Sequence, residues 1–184
     1  MTSTVVQAQF GQREPAIDMQ ILAAQRGDMH AYRNLYNTYH KKVYSLAYRL
    51  TADHGMAEDA TQEVFIQLWH KLENFQGQSQ FSTWLHAVAS NITISYMRKQ
   101  KSWLQRMFSQ EDTHIPEQSI ADAQYSLDEL VLRLPEQARL VFVLFTIEGQ
   151  RHEEIANTLN IAVGSSKAQL YRAKTLLQEW MSDE

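Results

Sequence analysis

Apolar residues recur at steps of three and four through most of this chain, and no run alternates as a half-buried strand would, so the pattern predicts an all-α protein. A first helix, about Ala16 to Arg26, stops at Gly27, and Asp28 can cap a long second helix carrying Tyr32, Leu35, Tyr36, Tyr39, Val43, Leu46 and Leu50. A break around Asp53 to Gly55 leads to a third helix, about Met56 to Leu72, whose inward side is Val64, Phe65, Leu68 and Leu72. The loop Glu73 to Gln80 precedes a fourth, about Phe81 to Lys101, with the stripe Phe81, Leu85, Val88 and Ile92. From about Ser102 to Ala123 the periodicity lapses while Ser109, Glu111, Asp112, Pro116 and Asp122 collect, the composition of an acidic linker. The expected plan is two small helical domains, 16–101 and 124–184, joined by a flexible linker at 102–123 and preceded by a tail at 1–15.

The second domain reads as a helix-turn-helix. Leu134-Pro135-Glu136 opens a helix with proline where its missing N–H is harmless, and Ala138, Val141, Phe142 and Phe145 follow at helical spacing until Gly149 ends it. A short helix from Glu153 to Leu159 turns Ile155, Ala156 and Leu159 to one side, and Asn160 tolerates the left-handed backbone of a tight turn. The last helix, about Val163 to Trp180, is expected to bury Leu170, Ala173 and Leu177. Its other side carries Gly164, Ser165, Ala168, Tyr171, Arg172 and Thr175, flanked by Lys167 and Lys174, a small, polar and partly basic surface suited to a major groove. A basic helix by itself is more often plain solvated surface. Three helices in this order, with a short turn between the last two, are what holds a reading helix out from its domain.

Composition narrows the partners. A net charge of −4 argues against indiscriminate nucleic-acid binding, so any DNA contact must rest on local patches, within a larger assembly. With no cysteine, disulfide and thiolate chemistry are excluded. Neither a signal peptide nor an apolar run of about 18 residues is present, which predicts a cytoplasmic protein without membrane insertion. The histidines are scattered, and no glycine-rich phosphate loop or nucleophile constellation occurs, so no catalytic residue, metal or cofactor is expected and the chain does not read as an enzyme.

Two further faces carry information. On the third helix Asp59, Gln62, Glu63, Ile66 and His70 share one side, with Trp69 at its margin, either a solvated acidic face or a protein-docking surface. The fourth helix combines Phe81 and Trp84 with Asn91, Tyr96, Arg98, Lys99 and Lys101. Flat rings, polar groups and cations suit single-stranded DNA, although core packing is the commoner use of Phe81 and Trp84.

The order of these pieces resembles a known family. Asp59-Ala60-Thr61-Gln62-Glu63-Val64-Phe65, Trp69, Phe81-Ser82-Thr83-Trp84-Leu85, Asn91, Arg98, Leu134-Pro135, Glu153-Glu154-Ile155-Ala156 and Val163-Gly164-Ser165 with Lys167 and Arg172 are similar to bacterial sigma-70 family RNA polymerase sigma factors of the extracytoplasmic-function branch. The resemblance runs from about Ala16 to Met181 and implies region 2 followed by region 4. It implies that Asp59, Gln62, Glu63 and Ile66 dock on the clamp coiled coil of the polymerase β′ subunit, in place of the solvated face. The loop Phe75 to Gln80, with Gly77, Gln78 and Ser79, and the helix with Asn91 would read the opened minus-10 element and capture a flipped base, while Arg98, Lys99 and Lys101 lie near phosphates. Gly164, Ser165, Lys167, Ala168, Tyr171, Arg172 and Lys174 would read the minus-35 duplex, and the inner surface of region 4 would meet the β flap. An anti-sigma factor that covers these surfaces, and can hold the chain at the inner membrane, is also implied.

Several positions depart from the family pattern. Ser90 and Ser95 stand where arginine and aspartate are usual, Arg151 and Ala162 occupy the helix N-caps where serine or threonine is usual, Ser166 replaces a branched apolar residue and Gln169 an arginine. Loss of a cap costs about 1 kcal/mol, so a weakly held recognition helix is expected. Two rivals stay open at this point: a dimeric operator-binding regulator, and a sigma-like decoy without initiation activity.

Overall fold

A computed structural model describes residues 15–107 and 126–182, with side chains from 18 to 102 and from 126 onward. Much of the expected acidic linker lies outside the described residues. Among those described the chain is helical throughout. The N-terminal domain comprises α1 (Pro15–Gln25), α2 (Met29–Thr51), α3 (His54–Lys71) and α4 (Phe81–Met107), with a 3-10 turn at Leu72–Asn74. The C-terminal domain comprises α5 (Leu127–Arg133), α6 (Glu136–Phe142), α7 (His152–Leu159) and α8 (Val163–Ser182).

Local chemistry sets most boundaries. Gly27 takes φ 91°, and the Asp28 carboxylate accepts the N–H groups of His30 at 2.8 Å and Ala31 at 3.1 Å, fixing the start of α2. The helix ends without glycine: Ala52 adopts φ 54° and donates its N–H to the Tyr48 carbonyl at 2.8 Å. Asp53 then accepts the Met56 N–H at 2.7 Å, so α3 begins at His54 and Gly55 falls inside its first turn rather than in the expected break. The fourth helix continues past Lys101 to Met107, into what the pattern reads as linker.

In the C-terminal domain α5 is an element the apolar pattern does not reveal. Its signal is a capping box: Ser126 Oγ accepts the Glu129 N–H at 3.4 Å and Glu129 Oε2 accepts the Ser126 N–H at 2.7 Å. Pro135 sits at the N-cap of α6, whose last turn widens into a π-helical stretch, Val143–Ile147, before Gly149 at φ 68° ends it. Asn160 takes φ 54°, as the interhelical turn requires.

Val43, Leu50, Val64, Leu68 and Leu85 are sealed in the N-terminal domain, and Leu134, Val141, Leu144, Ile155 and Ala173 in the C-terminal one. The two cores merge into one apolar cluster, because α2 and α4 pack against α5, α6 and α7. Arg139 of α6, 7% exposed, sits at this junction. Its Nε donates to the Leu50 carbonyl at 3.3 Å and Nη2 to Thr51 at 3.2 Å, both at the C-terminal end of α2, while Nη1 donates to Leu134 at 3.0 Å and Leu132 at 3.4 Å. One guanidinium thus satisfies carbonyls at two helix ends, where the backbone lacks partners and the helix dipole is negative. Burial pulls its pKa below the usual arginine value, against the smaller upward pull of Glu136.

Candidate nucleic-acid interface

Helix α8 separates its two sides cleanly. Leu170, Ala173 and Leu177 are buried against the domain, while Gly164, Ser165, Lys167, Ala168, Tyr171, Arg172 and Lys174 are exposed. Tyr171 is 76% exposed, unusual for a tyrosine serving its own fold.

Helices α7 and α8 are better held than the residues at their N-caps imply. The Arg151 side chain makes no capping bond, but the Glu154 carboxylate returns to accept the Arg151 N–H at 2.7 Å. Ser166, fully buried where a branched apolar residue is usual, pairs through its hydroxyl with His152 Nδ1 at 2.9 Å, clipping α8 to the start of α7. The His152 ring also stacks on Phe145 with centroids 4.6 Å apart. These bonds correct the expectation of a weakly held helix.

On α3, Asp59, Gln62 and Ile66 are exposed and Glu63 half-buried on one side, as the spacing predicts. Ile66 is 61% exposed between polar neighbours. The face is tied to α4: Tyr96 donates its hydroxyl to Asp59 Oδ2 at 3.1 Å. Burial, with Asp59 and Glu63 nearby, holds the Tyr96 phenol above its ordinary pKa, offset in part by its bond with Gln100.

The loop after α3 is anchored by aromatic packing. Phe75 is half-buried with its ring 5.3 Å from Phe81 and 5.2 Å from Trp84, and Phe81 in turn meets Tyr39 at 5.3 Å. Phe81 is therefore core, the commoner use, and Phe75 holds the loop from beneath. Gln25 of α1 adds donations to the carbonyls of Leu72 at 2.8 Å and Phe75 at 2.9 Å. Gln78, Ser79 and Gln80 are left exposed around Gly77, which takes φ 70°. Gly77, Ser79 and Gln80, but not Gln78, border an open cleft of about 640 Å³, completed by Asp18 and Leu22 of α1 and Thr38 and Lys42 of α2. Sequence reasoning missed these α1 and α2 residues, since nothing in their spacing tells that the loop folds back over them.

Along α4, Asn91, Arg98, Lys99 and Lys101 are exposed but not on one open surface. Arg98 Nη2 donates to the Thr158 carbonyl of α7 at 2.6 Å, and Lys101 Nζ meets Glu136 of α6 at 2.6 Å. Among the described residues no helix is long and apolar enough to cross a membrane, and no cluster of three metal-ligating side chains occurs.

The candidate site is a set of exposed faces on a helical scaffold that ends in a helix-turn-helix, α7 and α8. Comparison with known proteins gives it a family. Residues 35–102 match the model for sigma-70 region 2, and residues 124–177 the model for sigma-70 region 4. The ECF RNA polymerase sigma factor SigW of Bacillus subtilis is 32% identical over 185 residues, covering 92% of this chain and 99% of that one. Among solved structures, the sigma factor RpoE of Bartonella quintana, in complex with the anti-sigma factor NepR, aligns with TM-score 0.57 at 25% identity over 82% of this chain and 96% of that one. CnrH, in complex with the cytosolic domain of CnrY, shares the fold with TM-score 0.53 at 20% identity over 92% and 99% of the two chains. The chain belongs to the ECF branch of the sigma-70 family of RNA polymerase sigma factors.

Proposed function

We propose that this protein binds core RNA polymerase and directs it to promoters carrying a minus-10 and a minus-35 element, making and breaking no bond itself. The observation that carries the reading is α8, whose candidate DNA-facing side is exposed over its whole length while the opposite side is locked into the domain. Region 2 (16–101) supplies two surfaces in this scheme. Asp59, Gln62, Glu63 and Ile66 dock on the β′ clamp coiled coil, the exposed isoleucine supplying apolar area and the carboxylates fixing register. The loop Phe75 to Gln80 and α4 engage the opened minus-10 strand: the cleft beside Gly77 has room for a flipped base, Asn91 supplies polar edges, and Arg98, Lys99 and Lys101 supply phosphate contacts. Region 4 (124–184) reads the minus-35 duplex through Gly164, Ser165, Lys167, Ala168, Tyr171, Arg172 and Lys174, and meets the β flap with its inner surface. The linker spans the two regions.

The sigma factor RpoE, solved with the anti-sigma factor NepR, supports control of this chain by a partner of that kind; the cytoplasm is the compartment in which this scheme places it. A dimeric operator-binding regulator leaves the exposed Ile66 without a purpose. The test is transcription by core polymerase reconstituted with this protein on a randomised promoter library, followed by start-site mapping. Initiation at sites sharing two spaced elements is expected. Retention of core polymerase without any initiation would instead identify a decoy, and specific duplex binding without polymerase would identify the regulator.

A further inference from the structure

Helix α2 carries a chemistry that neither core packing nor the faces described above account for. It holds Tyr32, Tyr36, Tyr39, Tyr44 and Tyr48, four cations and no carboxylate, in a chain whose acidic residues outnumber its basic ones by 21 to 17. The two carboxylates that flank it, Asp28 and Asp53, serve as helix caps. Steps of four set two rows side by side along the helix. One row is Tyr36, His40, Tyr44 and Tyr48; beside it run Arg33, Asn37, Lys41 and Ser45, every one exposed. The rings stack in two groups. Tyr36 stacks on His40 with centroids 5.2 Å apart, Tyr44 and Tyr48 lie parallel at 6.3 Å, and Tyr48 stacks on His54 at 4.2 Å. Tyr44 and Tyr48 also cover the small cluster Ala47, Ala57 and Ala60, which explains their partial burial. That role does not extend to Tyr36, which is 38% exposed and packs across Phe65 at 4.7 Å. Nor does it extend to Arg33 and Lys41, which have no ion-pair partner among the described residues. The cleft beside Gly77 lies on another side of α2, that of Thr38 and Lys42.

We propose that this side of α2 is a second surface for single-stranded DNA, separate from the minus-10 face, in which the ring row takes bases and the polar row takes phosphates. Rings accept any base by stacking, and cations beside them track the backbone. Row members recur about 6 Å apart along the helix, against about 3.4 Å per nucleotide in a duplex strand. The two rows therefore match an unstacked strand and not a duplex. Freedom from carboxylates keeps the local field attractive to phosphates although the whole chain is negative. The choice of DNA as occupant rests on the sigma reading, which supplies opened promoter strands; the surface itself does not. In that scheme α2 holds a stretch of opened strand outside the minus-10 element.

The test uses the full chain without polymerase. A random-sequence DNA single strand carrying 5-iododeoxyuridine should cross-link under near-ultraviolet light to Tyr36 or His40, because that base reacts with the ring it stacks on. Arg33→Gln/Lys41→Gln alters only exposed side chains. It should weaken strand binding about tenfold, lower the salt slope by about 2, and leave duplex binding within about twofold. The charge-matched pair Arg26→Gln/Lys71→Gln, at exposed positions outside both rows, should change strand binding by less than about twofold. Tyr36→Leu keeps an apolar contact for Phe65 and should weaken strand binding about fivefold with the salt slope unchanged. Cross-links confined to α4 and the loop Phe75 to Gln80, or an equal loss in the charge-matched pair, overturn the surface. An RNA of the same sequence bound at least about tenfold more tightly through the same residues overturns the choice of DNA. Failure of the sigma reading itself would appear elsewhere, as absence of polymerase-dependent initiation by the wild type with the Tyr36 cross-link intact.

Discussion

The two helices proposed to read DNA, α4 and α8, are built on opposite principles. Helix α8 is amphipathic in the ordinary sense: one side holds Leu170, Ala173 and Leu177 in the core, and the other presents Lys167, Tyr171 and Arg172 to solvent. Helix α4 is apolar on two sides near its C-terminal end, and its cations Arg98 and Lys101 are bonded to the opposite domain. The difference lies in what buries each helix. One apolar side is satisfied within its own domain, whereas α4, with Ile94 and Met97 buried on a second side, requires the other domain as its cover.

The change expected to disturb this contrast most is Arg139→Met. Four carbonyls, two from each domain, lose a charged donor, and hydrogen bonds from charged groups contribute about 1.5–3 kcal/mol apiece in buried settings. Because the α2 carbonyls can be rehydrated on opening, a net loss of about 2–4 kcal/mol in urea unfolding is expected, with a larger radius of gyration before unfolding begins. A fully compact variant of unchanged stability would refute the bridging role of the guanidinium.

Next in size is Arg172→Ala on the exposed side of α8. Loss of one good base contact is worth about 1–3 kcal/mol, roughly a 5- to 150-fold fall in initiation at minus-35-dependent promoters, with thermal unfolding unchanged. Equal loss at promoters lacking a minus-35 element would place Arg172 elsewhere in the mechanism. A smaller effect is expected from His152→Ala, which leaves the buried Ser166 hydroxyl unpaired and removes the stack on Phe145. About 1–2 kcal/mol of stability should be lost, and Ser166→Val in the same chain should recover part of it by making the site apolar.

What the amino-acid pattern made legible follows the same division. Helix α8 could be read almost residue by residue, because its buried and exposed sides alternate at one period and a single Asn160 marks its turn. The α3 face was likewise legible in composition, but only family resemblance favours docking over solvation. The second stripe of α4 escaped, since Ile94 and Met97 look like breaks in the Phe81, Leu85, Val88, Ile92 series until another domain is seen to lie over them. Helix α5 escaped because a seven-residue helix offers too few apolar repeats, although Ser126 and Glu129 spelled its start. The His152–Ser166 bond had no sequence signal at all: departures from a family pattern at single positions do not tell whether a partner fourteen residues away compensates.

The smallest expected effect sharpens the comparison through pH. Burial raises the Tyr32 phenol above its ordinary value, in α2, where its hydroxyl donates to the Phe65 carbonyl; Tyr96, on α4, is raised as well. A raised phenol keeps its proton in the folded state while the unfolded chain releases it near pH 10, so the unfolded state binds fewer protons and stability falls as pH climbs past about 10. Tyr32→Phe removes one of the two groups responsible. It should cost about 1 kcal/mol near neutrality, where the bond to Phe65 is lost, yet narrow the difference in unfolding free energy between pH 8 and pH 11. Both phenols belong to the N-terminal domain, so hydrogen exchange at pH 11 should accelerate first in α2 and α3 and later in α8. The same acceleration in both domains at once would mean that the junction couples them into a single cooperative unit, and the order of exchange thereby measures how firmly α4 and its cover are joined.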